Sequence, residues 1–254
     1  MASLPRERGL SEVFDSVDLM NLMDTAKDAR LLVLEDALRR LHETVGNRKL
    51  KLHVDYSRLA AALQKAGSLI YEIKYSYIPA PNVAELEVTE KLVDSISEFR
   101  SVLEEAIKSY GYRPSTINET LNLANVYYSF RIVERLKVKL QDFPDDPAFA
   151  VDILAVEVSK VQNVQDSKNL TECRCTDGTR IWKIVTNIRD IKPGLKLACA
   201  VLPPVEMMGS ISEAMFLGGT PLPEDTVLGP MKNPPPSAID QARYKVIEIT
   251  KRMI

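Results

Sequence analysis

The chain has 254 residues, of which 45% are hydrophobic and 27% charged, and its formal net charge is −2. This balance is typical of a globular protein with a buried core, and the length allows one large domain or two modest ones. The net charge excludes a broadly basic nucleic-acid-binding protein. The apolar runs are far shorter than the roughly 20 residues of a membrane span, and the first residues do not resemble a signal peptide. We therefore expect a cytoplasmic protein without membrane contact.

The residues that usually carry metal or catalytic chemistry are few. There are three cysteines and two histidines, and their spacing does not match a zinc site. The sequence has no glycine-rich phosphate loop, no zinc-protease motif and no nucleophile elbow. We therefore predict no catalytic residues, no metal and no cofactor. Cys173 and Cys175 would share one face of a strand, as reduced packing residues.

The first half has a helical apolar period. From Leu10 to about Gln141, apolar residues recur every three or four positions, which predicts amphipathic helices. Asp55, Asn82 and Ser115 are candidate helix caps. Pro79, Pro81 and Gly111 are candidate helix ends. Short connections between long helices predict an antiparallel bundle of four or five helices.

The period changes to two after the segment Phe143-Pro144-Asp145-Asp146-Pro147, which cannot continue a helix. Leu154, Val156 and Val158 alternate with more polar residues, and Asp177-Gly178 is typical of a hairpin turn. Five short strands fit a five-stranded OB-fold β-barrel. We predict an α+β protein with two domains, a helical bundle over 1–147 and a barrel domain over 148–254.

The end of the chain gives a mixed pattern. The proline-rich segment 222–236 predicts an ordered loop rather than a core element. Residues 238–253 could form a helix, because Tyr244, Ile247 and Lys251 would share one face. The run Val246-Ile247-Glu248-Ile249-Thr250 could equally close a sheet. We favour the helix.

Two runs of the second half carry a resemblance to a known family. The segments Ile184–Pro204 and Gly209–Gly219 contain Ile184-Val185, then Lys192-Pro193-Gly194, then Gly209, Ser212, Ala214 and Met215. This spaced set resembles the tRNA-binding OB domain of phenylalanyl-tRNA synthetase β chains, methionyl-tRNA synthetases, endothelial monocyte-activating polypeptide and stand-alone structure-specific tRNA-binding proteins. The resemblance covers roughly residues 152–219. The chain departs from the family in its first hairpin, which lacks His-Pro, and at Met207 and Met208, where many members have a basic residue.

Charge and resemblance together select the candidate RNA contacts. Between Lys160 and Lys196 there are eight basic and four acidic residues, on strands and loops that usually face the ligand of an OB barrel. The Ser212 segment lines the tRNA-facing side in the resembling family. The predicted RNA-binding residues are Lys160, Lys168, Arg174, Lys183, Asn187, Arg189, Lys192, Ser212, Glu213 and Met215.

Several of these features also have purely structural interpretations. Trp182 could stack a base, but Ile184 shares its face and favours a core position. Tyr71, Tyr75 and Tyr77 could stack nucleotides, or line the bundle or a dimer seam. The charged segment could be an ordinary solvated face.

We predict a non-catalytic RNA-binding protein; the RNA ligand rests mainly on the resemblance, which implies tRNA or another structured RNA. It also implies a homodimer, since stand-alone members of the family are often dimers. The alternative is a protein-interaction scaffold or chaperone-like module that does not bind RNA, for example one that docks to an aminoacyl-tRNA synthetase.

Overall fold

The computed structural model describes residues 24–251 and residue 253. The predicted helical period over residues 10–23 lies outside the described residues. Six α-helices are described, together with one 3-10 turn at Pro147–Ala150. The helices are α1 (Ala29–Val45), α2 (Tyr56–Lys74), α3 (Ala80–Glu85), α4 (Glu87–Ser109), α5 (Ile117–Asp142) and α6 (Pro236–Thr250). Within the described residues, no helix is both long enough and apolar enough to cross a membrane.

The helix ends confirm some predicted signals and correct others. The Asp55 carboxylate accepts hydrogen bonds from the backbone N–H groups of Ser57 and Arg58, which confirms it as the cap of α2. The prediction for Asn82 is wrong, because it lies inside α3, a short helix that begins among the prolines.

The predicted cap of α5 is wrong by one residue. Thr116, not Ser115, accepts the backbone N–H of Glu119 at 3.2 Å. The Glu119 carboxylate reaches back and accepts from both the N–H and the hydroxyl of Ser115 at 2.9 Å. This pair of reciprocal bonds resembles a capping box, in which the residue three positions into the helix satisfies donors before it.

The second half forms an antiparallel sheet. Its strands are β1 (Ile153–Asn163), β2 (Thr171–Thr176), β3 (Ile181–Thr186), β4 (Lys196–Met207), β5 (Ser210–Phe216) and the two-residue β6 (Gly229–Pro230). The order is β3-β2-β1-β4-β5, and β6 pairs with β1. An α+β protein with an N-terminal helical region and a C-terminal sheet is therefore confirmed. Among the described residues, no backbone ladder joins β3 to β5, so the predicted barrel is not closed by backbone pairing.

The helical region and the sheet share one hydrophobic core. Helix α5 packs against β4 and β5, and α6 packs against the 3-10 turn and α1. The predicted boundary at residue 147 falls at the start of that turn. Residues 236–250 are helical, which confirms the favoured interpretation. Arg243 of α6 holds the Asp146 carboxylate with two hydrogen bonds of 3.0 and 2.6 Å, and thereby ties the C-terminal helix to the connecting segment.

Candidate nucleic-acid interface

Alternation along β2 and β3 decides which side chains reach solvent. Cys173 and Cys175 on β2 and Trp182 and Ile184 on β3 are buried in the core. Side chains on a strand point alternately to opposite faces. The intervening Arg174 therefore points away from the core, and so does Lys183 between Trp182 and Ile184. Burial raises the pKa of the Cys173 thiol to about 11 and that of Cys175 to about 12, which suits inert packing residues.

Lys160 faces outward because of an irregularity in β1. Strict alternation would place Lys160 on the same face as the buried Val158. The register between β1 and β2 shifts between Val158 and Lys160, so that Val158 pairs with Cys175 and Lys160 pairs with Arg174. Such a bulge turns the following side chains to the other face. The extra residue, Ser159, donates its hydroxyl to the Arg174 carbonyl oxygen at 2.8 Å.

Three cations consequently form a row across three strands. Lys160 pairs in register with Arg174, and Arg174 pairs with Lys183. We call these three residues the basic row. Lys160 and Arg174 are exposed and Lys183 is half-buried. Neighbouring strands lie about 4.8 Å apart, and like charges directly opposite one another are unfavourable. Within the described residues no ion pair includes any of the three, so the row offers its charge to solvent.

Two acidic residues near the row, Glu172 and Asp177, are engaged with the protein, whereas Glu157, opposite Thr176 on β1, makes no ion pair or side-chain hydrogen bond within the described residues. Glu172 lies two residues before Arg174 on β2, but it is buried and accepts a hydrogen bond from Gln162 at 2.9 Å. Asp177, in the turn between β2 and β3, accepts from the Trp182 indole N–H at 2.8 Å and from the backbone of Thr179 and Arg180. Burial opposes the charge of Asp177, but these hydrogen bonds outweigh it and lower its pKa.

Trp182 is a core residue and does not offer its ring to a base. It is buried, and the Arg180 guanidinium carbon lies 3.8 Å from its ring centroid. The Arg131 guanidinium of α5 also lies near the ring, at 5.1 Å. The core interpretation of Trp182 is confirmed. The three tyrosines of the helical region are each about half exposed, at 53% for Tyr71, 51% for Tyr75 and 55% for Tyr77.

A polar cavity of about 570 Å³ lies where the β1–β2 and β3–β4 connections meet. Three predicted site residues, Lys168, Asn187 and Arg189, line it. Lys192 is exposed on the same β3–β4 connection. The other lining residues are Val161, Asn163, Asn169, Leu170, Thr171, Ile188, Asp190 and Ile191.

Ser212 and Glu213 form hydrogen bonds between strands instead of facing solvent. Ser212 is 3% exposed, and its hydroxyl accepts from the Val185 N–H and donates to the Ala214 carbonyl, both at 2.9 Å. Glu213 accepts from the Lys183 N–H at 3.1 Å and pairs with Arg180 at 2.5 Å. We call these bonds from β5 to β3 the seam. Both side chains are occupied by bonds within the sheet and are not free to contact a ligand.

Met215 lies apart from the other candidates. It is half-buried and lines a mainly apolar cavity of about 300 Å³ between the sheet and α6. Leu202 and Val205 of β4 and Ile249 of α6 line the same cavity. The ten predicted residues therefore separate into the basic row, the polar cavity with Lys192, the seam, and Met215.

Sequence reasoning missed three polar residues of the cavity: Asn163, Asn169 and Thr171. They carry no charge, so counting charged residues could not find them. Asn163, the last residue of β1, pairs in register with Thr171, the first residue of β2. The two residues therefore flank the β1–β2 connection. A hairpin predicted between these strands would have brought them together. Among the described residues, no cluster of three or more histidine, cysteine or acidic side chains is placed to hold a metal.

Comparison with known families concerns only the helical region. A family model described as an alpha helical domain matches residues 20–142. The match ends at the last residue of α5 and does not reach the sheet. No curated protein matches the chain.

Proposed function

We propose that the protein is a non-catalytic RNA-binding protein whose sheet holds the phosphate backbone of a structured RNA, with tRNA as the ligand that the resemblance implies. The basic row carries the proposal. Three cations in register across β1, β2 and β3 have no ion-pair partner among the described residues, and a polyanion would relieve their mutual repulsion.

We interpret the sheet as an OB-type barrel, and this interpretation supports the proposal. In our interpretation β3 and β5 come together as the last two strands, and the seam from Ser212 and Glu213 joins them in place of a backbone ladder. The basic row then lies on the outer face of β1, β2 and β3, a face that OB folds use for oligonucleotides. Because the row lacks an exposed aromatic ring, we expect it to read backbone shape rather than base sequence.

A salt titration with total tRNA tests the proposal. Fluorescence anisotropy would give the Kd of the wild type, of Arg174→Glu at the centre of the row, and of Lys65→Glu, an exposed lysine of α2, as control. We expect the wild-type Kd to rise steeply with salt. Arg174→Glu should weaken binding and reduce the slope of log Kd against log salt by about 1 or more, and Lys65→Glu should change neither. Absence of wild-type binding at low salt would refute the function.

A second candidate function is docking of a protein partner, such as an aminoacyl-tRNA synthetase or a second copy of this chain. The β4–β5 hairpin favours it, because Val205, Met207 and Met208 are 43%, 36% and 54% exposed. Neighbouring apolar side chains on an exposed hairpin are typical of interaction surfaces. A homodimer through this hairpin would give twice the chain mass in light scattering. Met208→Lys should then return it to the monomer, and a monomeric wild type would refute the homodimer.

A further inference from the structure

The polar cavity between the β1–β2 and β3–β4 connections has a composition unlike that of the basic row. Three carboxamides line it, from Asn163, Asn169 and Asn187. All three residues are exposed, and within the described residues their side chains make no hydrogen bond to protein. Lys168 and Arg189 line the same cavity and are likewise without an ion pair there, and with the Asp190 carboxylate in the lining the charged groups keep a net positive balance.

This set of groups favours a ligand with a planar hydrogen-bonding edge and an anion. A carboxamide both donates and accepts hydrogen bonds, as the edge of a nucleobase does. Such an edge can be satisfied by the carboxamides of Asn187, Asn163 and Asn169. Lysine only donates hydrogen bonds and an ionised aspartate only accepts them, so neither alone could satisfy it. The ammonium of Lys168 and the guanidinium of Arg189 suit a phosphate. The cavity volume of about 570 Å³ lies within the range of small-ligand sites.

We propose that this cavity binds one nucleotide, with the carboxamides on the base edge and Lys168 and Arg189 on its phosphate. The proposal rests on the proposed function, since an unpaired nucleotide of a bound RNA is the occupant that we infer. Single-stranded positions are where proteins read RNA bases, because their edges are free of pairing. The basic row would then hold the backbone, and the cavity would supply the base contacts that the row lacks.

The first experiment uses the full chain and free nucleotides. An isotope-labelled sample of the protein would be titrated with each of the four ribonucleoside 5′-monophosphates and with ribose 5-phosphate. The NMR signals of the asparagine side-chain amides would report binding. We expect saturable shifts with at least one nucleotide and binding at least about tenfold weaker with ribose 5-phosphate, which lacks the base. Equal binding of both would show an anion site only and would overturn the proposal, as would absence of binding by all four nucleotides.

Single substitutions then assign the site. Asn187→Ala and Asn169→Ala should each weaken nucleotide binding by about fivefold, the loss expected for one hydrogen bond. Asn233→Ala removes an exposed asparagine of the proline-rich loop and is the matched control. Far-ultraviolet circular dichroism would verify folding, and two exposed positions guard against one variant that fails to fold. Unchanged affinity in both cavity variants would overturn the proposal.

Measuring tRNA binding by the same variants distinguishes this proposal from the proposed function. If Arg174→Glu weakens tRNA binding while Asn187→Ala and Asn169→Ala leave it unchanged, the function stands and the cavity is not used by RNA. If the wild type binds a mononucleotide but no tRNA, the function fails and the cavity is a site for free nucleotides. We expect all three variants to weaken tRNA binding, and only Arg174→Glu to change its salt dependence strongly.

Discussion

At the scale of single residues, Asp152, just before β1, is a buried charge that links the helical region to the sheet. Its carboxylate is buried and faces three cations of α5: Arg131 Nε at 2.6 Å, Lys139 Nζ at 3.0 Å and Arg135 Nε at 3.8 Å. Burial opposes the charge of both partners in the Asp152–Lys139 pair, and it lowers the pKa of Lys139. The pKa of Asp152 is nevertheless lowered to about 2, because three positive charges outweigh its burial.

Replacing Asp152 with asparagine should be strongly destabilising. The substitution preserves shape but leaves the buried Lys139 ammonium without its counter-ion, and breaking a buried pair in this way costs about 3–5 kcal/mol. Urea unfolding would measure the loss. Asp240→Asn, which removes a surface partner of Arg243, should cost less than about 1 kcal/mol. Adding Lys139→Met to Asp152→Asn should recover part of the loss. Equal stability of the two aspartate variants would contradict the role of Asp152.

The same carboxylate predicts a pH dependence. Its folded pKa of about 2 lies below the ordinary value of 3.8, so folding favours the ionised form. The stabilisation, about 2 kcal/mol, is fully present above the unfolded pKa and is lost as the pH falls through the folded pKa. The difference in unfolding free energy between wild type and Asp152→Asn should therefore shrink between about pH 5 and about pH 2. A difference that stays constant over that range would contradict the assignment.

At the scale of elements, the seam between β5 and β3 predicts an asymmetry between two serines. Ser212→Ala removes the acceptor of the buried Val185 N–H, and an unsatisfied buried donor costs about 1–3 kcal/mol. Ser210→Ala, at the start of the same strand, is the control, because the described structure gives its hydroxyl no hydrogen bond. We expect only Ser212→Ala to lower the urea midpoint clearly. Similar midpoints for both variants would show that the seam contributes little.

The elements also show what the sequence could and could not predict. Periodicity placed the helices and strands, because each apolar stripe must face a core. The cap at Asp55 was predictable from local chemistry. The choice between Ser115 and Thr116 as the cap of α5 depends on which of them bonds to the backbone and which to the side chain of Glu119. The outward face of Lys160 depends on the bulge beside it, which period-two reasoning cannot show.

Contacts between elements that are distant in the sequence could not be predicted, for a different reason. Asp152 meets its three cations only because the tertiary fold brings α5 beside it, and no local sequence pattern predicts that arrangement. The seam is similar, since Ser212 and Glu213 carry the family-like pattern but bond to β3 within this chain. A resemblance can therefore mark the right strand while leaving open whether a side chain serves the ligand or the sheet.

At the scale of the whole molecule, the two halves are joined by a continuous interior. Buried apolar residues run without interruption from α1 through α5 into the sheet and on to α6. The charged contacts at Asp152 cross the same junction. Arg131 of α5 also lies against Trp182 of β3. Elements that share a core lose their support together, so we expect the helical region and the sheet to unfold as one cooperative unit.

Two probes and one distant substitution test this expectation. The chain has a single tryptophan, Trp182, so its fluorescence reports the sheet, while circular dichroism reports mainly the helices. The two urea transitions should coincide. Leu103→Ala opens a cavity beside α4, whose main packing partners are α2, α3 and α5, and should cost about 2–5 kcal/mol. If folding is cooperative, this variant lowers both midpoints equally. A shift in the circular dichroism midpoint alone would mean that the helical region unfolds first and that the sheet stands without it.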